Sequence, residues 1–547
     1  MSLSKNAREV LFLWLTKFSS EFLGQIVHVI QNFLTLIYTY KSMRSVDQTN
    51  ALLLLSQIYQ INQQESILPS SMFYNAAISQ IPKDDLSKEY TNWLLQSSSS
   101  LAVHSLCQCP FVFETHTKRR LIRIDATKRM AENVRLSIDS FFEAVTQGAP
   151  RPELNETFFF NMHISRENLL EDAVDIFSNS NMNDMRKPLK IHFKGEDGVD
   201  EGGLTKEFCS LVVSKFLNDT TLFTLDKGTN RWWFSPPRYK YKGTQLVKEQ
   251  VPVNLFELFG TLIGISIYNG VYLDLRFPNI LFQHLLYLNT NTEVKPSLND
   301  FAELRPMIAQ SLQKMKNMKS NIQELDEVFS ISTAIMVAAT SSDNNSNTKE
   351  AINNGLYRPT VLQEDLKPNG IDIPVTTRNV DLFIELYIKS ELTDRHWLGI
   401  QSIARGFQKV IACPALTLCR PHELKLLLCG ISNFDNFEDL VSSSKYIDGY
   451  TSETNVVKWF WDMVIKQYTE VEKRKLLFFV TGNDRIPTNG FKGLRFVIQK
   501  AGSHNDEHLP TAHTCFNTLC FPEYSSKEIL KDRFSVALEN LTGFGLA

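Results

Sequence analysis

The sequence predicts an α+β fold, mostly helical through its first part and mixed beyond it. Apolar residues recur at steps of three and four across much of the first 150 positions, the period of helices that bury one face. Short runs rich in β-branched and aromatic residues, at 189–193 and 232–236, interrupt the later helical pattern and read as strands. With 547 residues, 43% of them hydrophobic, the chain can build three or four buried units.

Formal net charge is −3, so no global basic field draws nucleic acid or an anionic membrane, and neither nucleic-acid binding nor membrane insertion is expected. The eight cysteines, Cys107, Cys109, Cys209, Cys413, Cys419, Cys429, Cys515 and Cys520, are scattered without the spacing of a secreted framework. Reduced thiols are expected, in the cytoplasm with the nucleus as a further location. Residues 22–40 carry no formal charge and are long enough to span a membrane. Glu21, Gln25, His28, Asn32, Thr35 and Thr39 nevertheless draw a polar stripe along one helix face, which predicts an amphipathic soluble helix. Arg8, Glu9 and Lys17 interrupt the opening stretch, and no signal peptide is expected.

Residues 1–155 form a helical amino-terminal region, with further helices at 51–58 and 126–145, breaks at Pro69, Pro82 and Pro110, and a serine-rich surface loop at 97–100. By position it either selects substrates or packs as a helical extension. The pair Cys107 and Cys109 lacks a second ligand pair for zinc and reads as two buried small hydrophobes. Lys118, Arg119, Arg120 and Arg123 read as a solvated basic face, with contact to an acidic partner as the alternative.

Beyond residue 155 a helix is expected at 164–177 and a strand at 189–193, followed by the glycine-rich turn GEDGVDEGG. Its four acids would repel phosphate, and it lacks the lysine ending of a nucleotide loop. Asp200 and Glu201 are expected to cap the helix beginning near Leu204, or to position an incoming amine. Residues 255–273 read as a core helix whose Gly260, Gly264 and Gly270 permit close approach, with Asn269 and Asp274 as polar anchors. Leu312, Met315 and Met318, and then Ile400, Ile403 and Phe407, make apolar stripes at helical spacing, core by pattern alone. Residues 338–355 are a polar low-complexity insertion. A small-residue loop at 429–433 suits a hinge. After it come a helix at 456–465, strands at 476–480 and 494–499, and a capping box, Ser525 to Glu528, opening a helix that buries Leu530, Phe534, Ala537, Leu538 and Leu541.

The stretch HLPTAHTCFN at 508–517 places Cys515 among hydroxyl and imidazole groups just ahead of an apolar strand. A reactive thiol needs such surroundings, because donors and cations lower its pKa, whereas structural cysteines sit in apolar ones. Strand alternation puts Asn517, Leu519 and Phe521 on one face and Phe516, Thr518 and Cys520 on the other, with Cys515 at the mouth of a small sheet.

The run LPTAHTCFN, the following LCFPEYSSKE and the ending GFGLA resemble the carboxy-terminal catalytic lobe of HECT-type ubiquitin-protein ligases. FKGEDGVDEGGLTKEF at 193–208 resembles the amino-terminal-lobe signature of the same family, and the resemblance covers residues 160–547. It implies a bilobal domain: a large, mainly helical lobe at 156–430 containing a partner-docking subdomain at 300–412, a hinge at 431–436 and a small α/β lobe at 437–547. It further implies that Cys515 accepts ubiquitin as a thioester from a ubiquitin-conjugating enzyme and passes it to protein substrates, with no cofactor or metal. Phe544, fourth from the end, matches an aromatic the family requires. His513 and Thr514 are the nearest candidates to orient the amine and to donate to the thioester oxygen, supported by Asn517. With the resemblance, Leu312, Met315, Met318, Ile400 and Ile403 become candidates for the conjugating-enzyme surface. The rival readings are a zinc site built from His504, His508, His513, Cys515 and Cys520, a cysteine protease, and a degenerate ligase acting as a scaffold.

Overall fold

The computed structural model describes residues 10, 14–15, 17–40, 45–65, 67–95, 105–147, 157–196, 200–242, 244–288, 292–318, 322–338, 357–411, 413–431, 434, 436–514 and 516–540. Cys515, Phe544, most of the 338–355 insertion and part of the 431–436 hinge lie outside them. The buried apolar residues form two cores, a larger one drawn from Leu15 to Cys429 and a smaller one from Phe437 to Leu538. The helices before residue 147 belong to the larger core, so the packing draws no boundary at residue 155.

In the first long helix, Ser20–Tyr40, Leu23, Val27, Ile30, Leu34 and Ile37 face the core, while Gln25, His28, Asn32, Thr35 and Thr39 are exposed. This helix is long and apolar enough to cross a membrane by composition, and here its buried face packs inside the protein. The basic cluster divides on the 32-residue helix Thr115–Thr146. Lys118 turns inward and donates to both oxygens of Glu423, at 2.7 and 2.8 Å, with side-chain exposures of 1% and 0%. Arg420 and Tyr74 complete the network, donating to the same carboxylate at 2.9 and 3.0 Å. Burial works against the charge on Glu423, but Lys118 and Arg420 overcome it and hold the carboxyl below the ordinary carboxylate range.

At the centre of the larger core the helices Val253–Asn269 and Trp397–Val410 cross with backbone nearly touching backbone. A Cβ at Gly260 would lie 1.9 Å from the Ile403 carbonyl oxygen, and one at Gly406 the same distance from that of Glu257, so only glycine fits at either position. The smaller core wraps a four-stranded sheet in the order Thr511–His513, Thr518–Phe521, Val497–Lys500, Lys445–Ile447; the first pair is antiparallel and the others parallel. The helices Asn455–Lys466, Glu470–Thr481 and Lys527–Glu539 pack with it around Phe460, Leu477 and Phe534.

Several expected elements differ. Residues 476–480 are helical, because the capping box Thr469–Glu472 starts a helix that carries through the apolar run and buries Leu476, Leu477 and Val480 on one face. The helix expected from 164 begins at Leu169, since Phe160–Ile164 is a strand paired in parallel with Leu189–Phe193. A Cβ at Gly270 would meet no neighbouring atom, so no close approach calls for glycine there; it ends its helix at φ +70°. The strand expected at 494–499 starts at Val497, after a 3₁₀ turn, Phe491–Leu494. Ser526, not Ser525, caps the last helix, and Ser525 bonds Asp506 instead.

Lys118→Met is expected to destabilise the protein by about 3–5 kcal/mol by stranding Glu423, whereas Lys118→Met combined with Glu423→Leu recovers most of that loss. Urea denaturation reads these beside Glu423→Leu alone, and a double loss equal to the sum of the two single losses would show that the pair is not coupled. His284 is 2% exposed, and burial pushes its imidazole down to about 4. From the ordinary value near 6.5 down to about 4 the unfolded chain binds the extra proton, so this contribution is intact above that window and falls with pH inside it, by about 1.4 kcal/mol per unit. His284→Leu should remove that slope from the pH dependence of the urea midpoint. An unchanged slope would place a charged ring in the fold.

Candidate active site

Two paired strands, Thr511–His513 and Thr518–Phe521, set His513 opposite Thr518 and leave four residues to turn the chain. The Phe516 amide donates to the His513 carbonyl at 3.0 Å, closing that turn around position 515. Asn517 takes φ +51°, a left-handed conformation asparagine tolerates better than most residues. Its Nδ2 donates to the Leu494 carbonyl at 2.5 Å, and its own carbonyl accepts the Val497 amide at 3.0 Å. The turn is therefore anchored on the neighbouring strand.

His513 is exposed, Thr514 half-buried, and Phe516 63% exposed, so the flanks of position 515 face solvent. Leu519 and Phe521 fall on the core face, and Thr518 and Cys520 are buried on the other. Lys206, on the helix Gly203–Asn218 of the larger core, donates to the carbonyls of Thr481 and Thr514, both at 3.2 Å. Asp200 fixes the start of that helix, accepting the amides of Gly202 at 2.7 Å and Thr205 at 3.3 Å and the amide of Ile191 at 2.9 Å. The expected capping role thus falls to Asp200, while Glu201 is exposed.

The two cores meet here through a small set of polar contacts. Ile431 and Ile486 exchange backbone hydrogen bonds at 2.8 and 3.1 Å, Asn483 donates to the Tyr272 carbonyl at 2.7 Å, and Arg485 pairs with Asp274. At Gly430, φ +64°, a Cβ would lie 2.6 Å from the Ile486 carbonyl oxygen. Sequence reasoning did not single out Lys206, Asn483 or Arg485. The only signal was Lys206's place in the 193–208 motif.

The seven described cysteines are free and buried. Burial pushes the thiols of Cys107, Cys109, Cys209, Cys419 and Cys429 up to about 12, and raises those of Cys413 and Cys520 as well. A thiol with so high a pKa supplies almost no nucleophilic thiolate at neutral pH. Among the described residues no three His, Cys, Asp or Glu side chains converge as metal ligands.

Of the residues considered for partner docking, Leu312, Met315, Ile400 and Ile403 are 5%, 8%, 0% and 0% exposed. Their stripes face inward, so these four present no surface to a partner. Met318 is 37% exposed, and Met307, Ile308 and Leu382 open outward on the same pair of helices, Pro306–Asn317 and Val380–Leu392.

Residues 210–547, well over half of the chain, match the family described as HECT-domain (ubiquitin-transferase), and the chain belongs to that family. It is 32% identical over 510 residues to the Homo sapiens probable E3 ubiquitin-protein ligase HERC3, covering 91% of this chain and 44% of that protein. It is 31% identical over 497 residues to Mus musculus probable E3 ubiquitin-protein ligase HECTD2, covering 88% and 57%. With the Eremothecium gossypii probable E3 ubiquitin-protein ligase HUL4 it shares 30% over 514 residues, covering 91% and 57%. The chain spans about half the length of these curated relatives.

Asn517→Ala is expected to cost about 1–2 kcal/mol, because alanine lacks asparagine's tolerance of the left-handed conformation and its bond to Leu494, and Asn517→Gly less, because glycine adopts that conformation freely. Denaturation of the two variants checks this. Equal losses would show that the side-chain bond to Leu494, rather than the backbone, holds the turn.

Proposed function

We propose that the chain accepts ubiquitin as a thioester on Cys515 and transfers it to a lysine of a protein substrate. One observation carries this reading: burial silences seven of the eight thiols, and the eighth falls between Thr514 and Phe516 in a turn whose flanks are open. Membership of the HECT family and relatives named as E3 ubiquitin-protein ligases support it. The Cys515 thiolate attacks the thioester carbonyl that joins ubiquitin to the conjugating enzyme. A new C–S bond forms as the old one breaks, and the conjugating enzyme leaves as its thiolate. The substrate amine then attacks the same carbonyl carbon, the C–N bond forms, and Cys515 departs as thiolate while His513 takes the amine's proton. Thr514 donates to the acyl oxygen, and Phe544 is carried over from the family pattern as an aromatic needed for transfer.

In this reading residues 156–430 are the large lobe, 431–436 the hinge and 437–547 the small lobe, with 1–155 a helical extension. The two separate cores support the division, and the shared core before residue 147 supports the extension. The conjugating enzyme docks within 300–412 on Met307, Ile308, Met318 and Leu382, which are exposed on helices joined by the Lys316–Asp381 pair at 3.2 Å. A reducing compartment, the cytoplasm or nucleus, keeps the thiol available.

Incubation with charged conjugating enzymes should give a ubiquitin adduct cleaved by thiol reductant, absent in Cys515→Ala and converted to a reductant-resistant ester in Cys515→Ser. Release of free ubiquitin alone, or no adduct across a panel of conjugating enzymes, would overturn the reading. His513→Ala should slow discharge to lysine about a hundredfold or more, the usual worth of a general base.

A further inference from the structure

Phe516, Asn517 and Thr518 help line a cleft of about 1470 Å³ between the two cores. The helix Thr115–Thr146 forms one wall, and Lys445, Arg495 and Phe516 of the smaller core stand on the other side. The lining holds nine lysines and arginines but a single acid, Asp84, in a chain whose overall charge is −3. Most of this positive charge is not cancelled. Arg119 and Arg120 donate to main-chain carbonyls, of Gly270 at 2.9 Å and of Ser79 at 3.1 Å, and Lys128 to the Thr91 hydroxyl at 2.8 Å. Such partners satisfy donors without neutralising them. Lys83, Arg123, Lys445 and Arg495 are exposed and have no ion-pair partner among the described residues. Charge gathered in a concave site with low-dielectric walls focuses its field and concentrates ligands of the opposite sign.

We propose that this cleft binds an acidic segment of the protein substrate, so that lysines flanked by aspartate and glutamate are modified in preference to others. The inference deepens the proposed function and rests on the reading of Cys515 as acceptor. One physical effect favours it: an acidic segment held in the cleft brings its own lysine close to Phe516 and Asn517, which line it. A polypeptide suits the lining better than a nucleic acid, since a bound single strand needs open aromatic platforms. Phe516 is the one strongly exposed ring in the lining among the described residues, and Arg119 covers Tyr272 at 3.7 Å.

The test uses the full chain and a fluorescently labelled synthetic peptide rich in Asp and Glu with one lysine, beside a twin in which the acids are replaced by Asn and Gln. Fluorescence anisotropy should show the acidic peptide binding about tenfold tighter or more, with the advantage shrinking as sodium chloride is raised. The charge-removing variant Arg123→Gln, Lys445→Gln, Arg495→Asn should lose most of that advantage; asparagine is chosen at 495 because Arg495 has φ +51°. Unlabelled polyglutamate should displace the acidic peptide from the unmodified chain, a measurement that needs no variant. Equal binding of the twins, indifference to the three substitutions, or tighter binding of a single-stranded DNA oligonucleotide would overturn the proposal. Loading of Cys515 is scored separately in the same samples. A chain that separates the twins but never loads ubiquitin supports the acidic preference and sinks the transfer reading; one that loads yet treats the twins alike sinks the acidic preference alone.

Discussion

Lys118 and Glu423, 305 positions apart, form a buried ion pair on which the arrangement of the larger core turns. Removing two charges from water costs several kcal/mol each, and their attraction offsets this only when the remaining donors and acceptors are also satisfied. Here Arg420 and Tyr74 supply the further donors to the Glu423 carboxylate, while the Arg420 Nε stays buried without a hydrogen-bond partner among the described residues. The network locks the helix Thr115–Thr146 against the helix Pro421–Cys429, whose end at Gly430 starts the crossing to the smaller core. One wall of the basic cleft and the origin of the crossing are thereby parts of one body. The described amino-terminal helices share the apolar core of the large unit.

Across the joint the chemistry changes character. Backbone bonds between Ile431 and Ile486, the amide of Asn483, the Arg485–Asp274 pair and the ammonium of Lys206 carry the contact, while each side keeps a separate apolar core. A junction made of a few polar contacts separates at lower cost than a shared core would, because water replaces each lost bond. Lys206 gives the junction its bearing on the chemistry, since the carbonyl it holds belongs to the residue just before position 515. Lys206 thereby ties the turn that follows His513 to the larger unit as well as to its own sheet.

Much of this was legible from residue pattern. The helical stripes of the first 146 residues, the paired glycines of 253–269 and the capping by Asp200 all follow from local periodicity and side-chain chemistry. Other features resisted, for identifiable reasons. An apolar run such as 476–480 fits a strand or a buried helix equally, and the capping box upstream settled it. A stripe such as Leu312 and Met315 announces that one face is apolar without saying whether a neighbouring element or a partner covers it. The basic run 118–123 reads as a single surface, yet Lys118 is interior and Arg123 lines the cleft, because successive residues on a helix point in different directions.

By itself the sequence determined which thiol has polar neighbours, where the glycine-rich turn lies and which helices bury one face, since these depend on residues adjacent along the chain. Tertiary structure alone decided that five further thiols besides Cys107 and Cys109 are buried, that Lys206 reaches the Thr514 carbonyl, and that nine cations from distant segments share one cleft. Burial and electrostatic fields depend on which atoms surround a group in space, and residues hundreds of positions apart supply those atoms.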